Sequence, residues 1–134
     1  MNTAETHFVK DGILHLQPVF KNGKIYSARM NSKFSIQYGT VEVVAKLPSG
    51  KWLWPAIWMM PTKPKYGTWP RSGEIDIMES AGNVGCKNRN PSYFVSTLHF
   101  GSSVSTDMFG RAGKSYTGED LSKNFHTYKL EWSA

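Results

Sequence analysis

A chain of 134 residues has room for one domain rather than two, and with 40% of them hydrophobic it can bury a core, which excludes wholesale disorder. Its net charge of +6 reflects 16 lysines and arginines against 10 acids, yet the cations are scattered, with no run of four and no basic stripe, so a solvated surface fits better than a nucleic-acid site. No apolar run approaches the roughly 20 residues of a membrane span, and a single cysteine, Cys86, excludes an intrachain disulfide.

In chain order, the first twelve residues lack the basic and apolar pattern of a signal peptide. The period that follows is two. Residues 8–10 and 13–16 flank Asp11-Gly12, a tight-turn signal, and predict a hairpin. Strands are predicted at 24–30, 39–47, 53–60, 74–80, 93–100 and 125–132, from runs rich in β-branched and aromatic residues between Gly, Pro, Ser and Asn. Val41, Val43, Ala45 and Leu47 alternate with Glu42, Val44 and Lys46 as a half-buried strand does. No stretch of ten residues keeps helical spacing, and 121–124 has room for one turn. The stretches 61–72 and 101–120 read as long loops, where binding residues commonly sit. The chain is therefore predicted to be all-β, a sandwich or jelly roll of antiparallel sheets.

The segment Gly73-Glu74-Ile75-Asp76-Ile77-Met78-Glu79-Ser80 carries the chemistry. In a regular strand Glu74 and Asp76 share one face and Ile75 and Ile77 the other. Strict alternation then puts Met78 beside the acids and Glu79 in the apolar layer, where an unpaired carboxylate is costly. One β-bulge at Ile77-Met78 returns Glu79 to the face of Glu74 and Asp76 and turns Ile75, Ile77 and Met78 inward. Three acids in a row on an exposed face raise at least one pKa. Such a row suits a glycosidase, whose retaining form holds two carboxyl groups about 5–5.5 Å apart. A solvated acidic edge and a metal site are the alternatives.

The aromatic content, 5 Trp, 6 Tyr and 7 Phe, exceeds what a small core ordinarily uses, so some rings are free to stack on a ligand. Trp54 and Trp58 are four apart with Ala56 between, which on a strand makes one face and a platform for sugar rings. Trp69 sits in a Pro-flanked loop at the edge of the same region. Arg29 and Asn31 are expected to alternate onto one face of their strand, where an Arg fork can grip hydroxyls or carboxylates. His99 lies on a strand able to neighbour the acidic one.

Trp69-Pro-Arg-Ser-Gly-Glu-Ile-Asp-Ile-Met-Glu-Ser-Ala-Gly-Asn83 resembles the signature of glycoside hydrolase family 16 in its bulged Glu-x-Asp-x-x-Glu form. That form is typical of laminarinase-type endo-1,3-β-glucanases and the invertebrate β-1,3-glucan-binding proteins. Ser27-Ala-Arg-Met-Asn-Ser32, Tyr38-Gly-Thr-Val-Glu42, Ala45-Lys-Leu-Pro48, Leu53-Trp-Pro-Ala-Ile-Trp58, Ser96-Thr-Leu-His-Phe-Gly101 and Phe125-His-Thr-Tyr-Lys-Leu-Glu-Trp132 resemble further family blocks, in the family's order. The resemblance implies a concanavalin-like jelly roll of two antiparallel sheets with a concave cleft, of which residues 1–134 are the N-terminal half of the catalytic domain. It further implies Glu74 as nucleophile, Glu79 as acid/base, Asp76 as assisting acid, and Trp54, Trp58, Trp69, Arg29, Asn31 and His99 as substrate-binding. The expected partner is β-glucan, with no nucleic acid and no membrane, in an extracellular setting. No catalytic cofactor or catalytic metal is expected, a structural calcium ion being possible but not readable from these residues. A non-catalytic glucan-recognition protein is the alternative function, and transglycosylation a third. Two departures stand out: Trp52 occupies a loop position where relatives often carry a small residue, and 84–92 follows no family pattern.

Overall fold

The computed structural model describes residues 3–80 and 91–134, and these divide into two compact units, Met1–Ser35 and Ile36–Ala134. Cys86, the end of the acidic signature at 81–83 and most of the unpatterned stretch lie outside the described residues.

The first unit is built of two antiparallel hairpins. β1 (His7–Lys10) pairs with β2 (Ile13–Leu16) across Asp11-Gly12, whose φ values of 52° and 76° are the double positive that a two-residue hairpin needs. Phe8 stands opposite His15, and their rings stack at 4.9 Å. β3 (Val19–Lys21) pairs with β4 (Lys24–Tyr26) across Asn22-Gly23 at φ 52° and 72°. The predicted strand at 24–30 therefore ends at Tyr26, and Arg29 and Asn31 lie beyond it in irregular backbone. Their expected sharing of a strand face is corrected accordingly: Ser27-Ala28-Arg29 brings no β-branched residue to prolong the ladder.

In the second unit, four antiparallel strands form one sheet in the order β6 (Ala56–Met59), β7 (Glu74–Glu79), β8 (Tyr93–His99) and β9 (Gly113–Thr117). β5 (Gly39–Ala45) and β10 (His126–Trp132) pair antiparallel through seven residues each. Between these two sheets lies the core. Leu47, Ile77, Met78, Leu121 and Tyr128 are buried, and Val41, Ala45, Ile57, Met59, Phe94 and Leu130 pack against them. The alternation predicted for β5 is present. Tyr128 of β10 meets Phe94 of β8 edge-on at 5.6 Å, a contact that joins the sheets.

The long loop predicted at 101–120 is corrected, because it contains a short 3-10 turn, Val104–Thr106, and the strand β9. Every residue of β9 is exposed and its sequence, Gly-Lys-Ser-Tyr-Thr, has no apolar alternation. Backbone pairing to β8 makes it a strand, helped by Phe94 stacked on Tyr116 at 5.1 Å. The stretch 121–124 is a turn, and no α-helix occurs among the described residues. The all-β jelly-roll expectation holds.

Candidate active site

The register of β7 decides where its acids point. On β8, Val95, Thr97 and His99 are spaced by two and so share a face. They stand opposite Glu79, Asp76 and Glu74 respectively. Between these pairs, two residues of β7, Ile77 and Met78, face the single Ser96 of β8, so one residue is extra, within the predicted Ile77-Met78 pair. The same shift appears against β6, where Ala56 faces Glu79 and Trp58 faces Asp76. Ser96 Oγ donates to the Ile77 carbonyl at 2.7 Å and satisfies an acceptor the bulge leaves beside the ladder. Ile77 and Met78 are both buried in the core. Glu74, Asp76 and Glu79 occupy the other face.

Each acid has a different setting. Glu74 Oε2 accepts from Trp69 Nε1 at 2.6 Å, and Glu79 Oε1 accepts from Trp54 Nε1 at 3.0 Å. Asp76 between them is 2% exposed, which corrects the expectation of three exposed acids. Burial, then the charges of Glu79 and Glu74, raise its pKa to about 7, against a smaller opposing pull from His99. The predicted rise falls on the central acid. His99 Nε2 lies 3.0 Å from Asp76 Oδ2, off line for a hydrogen bond, so neither Asp76 oxygen has a hydrogen-bond partner among the described residues when all the carboxyls are ionised. A proton on Asp76 resolves this, since it can then bond to Glu74.

His99 is fixed from several sides. Trp69 lies 5.4 Å away and Phe109 stacks on it at 5.8 Å. Its Nδ1 is 2.6 Å from Asp107 Oδ2. Burial works against the imidazolium, but the hydrogen bond and charge of Asp107, with the charges of Asp76 and Glu74, outweigh it and raise the His99 pKa. Asp107 was not singled out in the sequence. It sits in a Ser- and Thr-rich loop, eight residues from His99, and no spacing rule connects the two.

Among the predicted binding residues, the structure gathers Trp54, Trp58, Trp69 and His99 around the acids. Trp54 is 74% exposed and precedes β6, which begins at Ala56 rather than at residue 53. Trp58 is half-buried opposite Asp76. Arg29 and Asn31 belong to the first compact unit. Trp52 is 87% exposed at φ 67°, a left-handed backbone that bulky residues seldom adopt.

Asp76, Glu79 and His99 offer ligand atoms spread over up to 4.8 Å, the one such group among the described residues. Two bonds of about 2.1 Å to a transition metal span at most about 4.2 Å, whereas two of about 2.3–2.6 Å to a hard cation span about 4.6–5.2 Å. Glu79 is engaged by Trp54 and His99 by Asp107. The arrangement also suits proton transfer: two glutamates with indole donors flank a buried aspartate.

The sequence model of the glycosyl hydrolases family 16 matches residues 2–134. The chain is 47% identical over 112 residues to a glucan endo-1,3-beta-glucosidase of Cryptopygus antarcticus, covering 80% of this chain and 37% of that protein. It is 42% identical over 113 residues to a beta-1,3-glucan-binding protein of Penaeus monodon, covering 81% of this chain and 31% of that one. The laminarinase from Rhodothermus marinus superposes with a TM-score of 0.80 at 34% identity, over 98% of this chain and 52% of its own. The chain thus spans about a third of these curated relatives and half of that laminarinase.

Proposed function

The chain belongs to glycosyl hydrolase family 16, and from that premise we propose that it carries the catalytic acids of a retaining endo-β-glucanase acting on laminarin-like β-1,3-glucan. The observation that supports this most is the bulge of β7, which sets Glu74, Asp76 and Glu79 opposite one face of β8. Glu74 is the nucleophile and Glu79 the general acid, then base. In the first step a Glu74 carboxylate oxygen attacks the anomeric carbon while Glu79 gives its proton to the glycosidic oxygen. That C–O bond breaks, the leaving sugar departs as an alcohol, and a glycosyl ester of Glu74 remains. In the second step Glu79 takes a proton from water, the water oxygen attacks the same carbon, and Glu74 is released, so two inversions give net retention.

The surrounding groups have parts to play. The Trp69 indole N–H, at 2.6 Å, aims Glu74 and disperses its charge between turnovers. Trp54 holds Glu79 while leaving most of its own ring open to a sugar face. A proton on Asp76, hydrogen-bonded to Glu74, moderates repulsion between the flanking carboxylates.

In the full-length protein, Glu74→Gln and Glu79→Gln are each expected to cut reducing-sugar release from laminarin by at least about 100-fold with binding to curdlan retained, and the wild type is expected to release its initial product in the β configuration by NMR. Unchanged turnover in either variant sinks the assignment. The resemblance to the Penaeus monodon glucan-binding protein supports a second reading, glucan recognition without cleavage. Curdlan capture by a wild-type protein that releases no reducing sugar is the result that selects it.

A further inference from the structure

Asp107 lies in the loop that follows β8. Its side chain is 3% exposed, and its carboxylate is surrounded by donors. Oδ1 accepts from the backbone N–H of Phe100 at 3.1 Å and of Phe109 at 3.3 Å. Oδ2 lies 2.6 Å from His99 Nδ1. The loop has little freedom to present anything else. Met108 N–H donates to the Phe100 carbonyl at 2.9 Å, Arg71 Nε donates to the Ser102 carbonyl at 2.7 Å, and Ser103 and Thr106 close a reciprocal cap on the 3-10 turn. A Cβ on Gly101 would stand 2.4 Å from the Thr106 carbonyl oxygen, so the loop is drawn tight against its own start.

An ionised carboxylate only accepts hydrogen bonds, so a 2.6 Å contact requires the hydrogen to be on Nδ1. Desolvation works against the Asp107 anion, but the hydrogen bond and charge of His99 and the two backbone N–H donors hold its pKa below the ordinary value, and it stays an anion. The other ring nitrogen then has one fate. Nε2 faces Asp76 Oδ2 at 3.0 Å. The remaining neighbours of His99 are Glu74 opposite it on β7, Glu79 close by, and the uncharged rings of Trp69 and Phe109.

We infer that Asp107 is a positioning residue: it fixes His99 with Nδ1 protonated, so that Nε2 is turned to Asp76 between Glu74 and Glu79. This rests on the hydrolase reading for its consequence and on geometry alone for its existence. Asp107 touches no reacting atom. It acts by setting which way an imidazole donates, as an orienting carboxylate does for other catalytic histidines.

The test is Asp107→Asn in the full-length protein. Asparagine keeps a carbonyl for the two backbone donors but presents an amide to Nδ1, so the loop can close while the tautomer is reversed. Imidazole ¹⁵N NMR of the wild type should show neutral His99 as the Nδ1–H form. In Asp107→Asn the His99 titration should fall by about one pH unit or more. In laminarin hydrolysis, kcat should drop about 10- to 100-fold with KM within about twofold, and the alkaline limb of kcat/KM should move to lower pH. An Nε2–H tautomer in the wild type overturns the inference without any variant, as does a variant whose His99 titrates like the wild type. A shifted titration with unaltered kcat and pH profile overturns its role in the reaction. If the wild type releases no sugar, the hydrolase reading fails, while the NMR readings still decide Asp107.

Discussion

Asp76, a short side chain between two longer acids, is 2% exposed. That depth has a consequence for stability. Asp76 has a pKa of about 7 against 3.8 for an ordinary aspartate, so the folded chain binds this proton more tightly than the unfolded one. Stability therefore declines as pH rises from about 4 to about 7. His99, whose pKa is also raised, acts in the same direction: its contribution is full below 6.5 and is lost as pH climbs through its folded value. Asp107 is held low, so its contribution is present above 3.8 and lost only on further acidification. The full-length protein is expected to melt at a higher temperature at pH 5 than at pH 8. Asp76→Asn, which keeps the shape and removes the charge, should raise Tm at pH 8 and flatten the decline. Calorimetry across that range checks this, and a variant curve as steep as the wild type would place the pH dependence elsewhere.

At the scale of the element, the bulge is the feature on which the site depends, and it was readable because only one inserted residue sorts the side chains of β7 by polarity. The same logic makes it testable. Deleting Ile77 leaves Glu-Ile-Asp-Met-Glu, which alternates strictly and keeps the three acids on one face. That variant loses a buried side chain, at a cost of about 2–5 kcal/mol, and should melt lower yet still bind laminarin. Deleting both Ile77 and Met78 instead leaves Glu-Ile-Asp-Glu, which turns Glu79 to the apolar side, where an unpaired carboxylate is not tolerated, and should abolish both folding and binding. Equal behaviour of the two variants in a thermal melt and a laminarin gel-shift would show that register does not govern the site. Other elements were less legible for identifiable reasons. β3 was missed although Asn22-Gly23 marks its hairpin as clearly as Asp11-Gly12 marks the first. β9 is an exposed edge strand held by backbone bonds to β8, and such pairing leaves no trace in hydrophobic period. Arg29 and Asn31 were given to a strand that ends three residues before the first of them.

At the scale of the molecule, the acid face and the apolar face of the β6–β9 sheet are served by one ribbon, and β5 and β10 cover the apolar side. Much apolar surface stays open. Val9, Phe20, Ile25 and Phe34 in the first unit are each more than 70% exposed, and Val44 on the outer side of β5 is 59% exposed. Among the described residues, β5, β6, β9 and β10 each pair on one side only. Exposed apolar side chains and open strand edges invite pairing with other chains, and the laminarinase this chain matches is about twice as long. Residues 1–134 produced alone are accordingly expected to self-associate by light scattering and to release no sugar from laminarin, whereas the full-length protein stays monodisperse under the same conditions. The loss is expected even though all three acids, both indole donors and Asp107 are present, because a glycosidic bond must be held across a cleft and one wall does not hold it. A monodisperse, active preparation of these 134 residues would refute this, and would mean that the β6–β9 sheet positions substrate unaided.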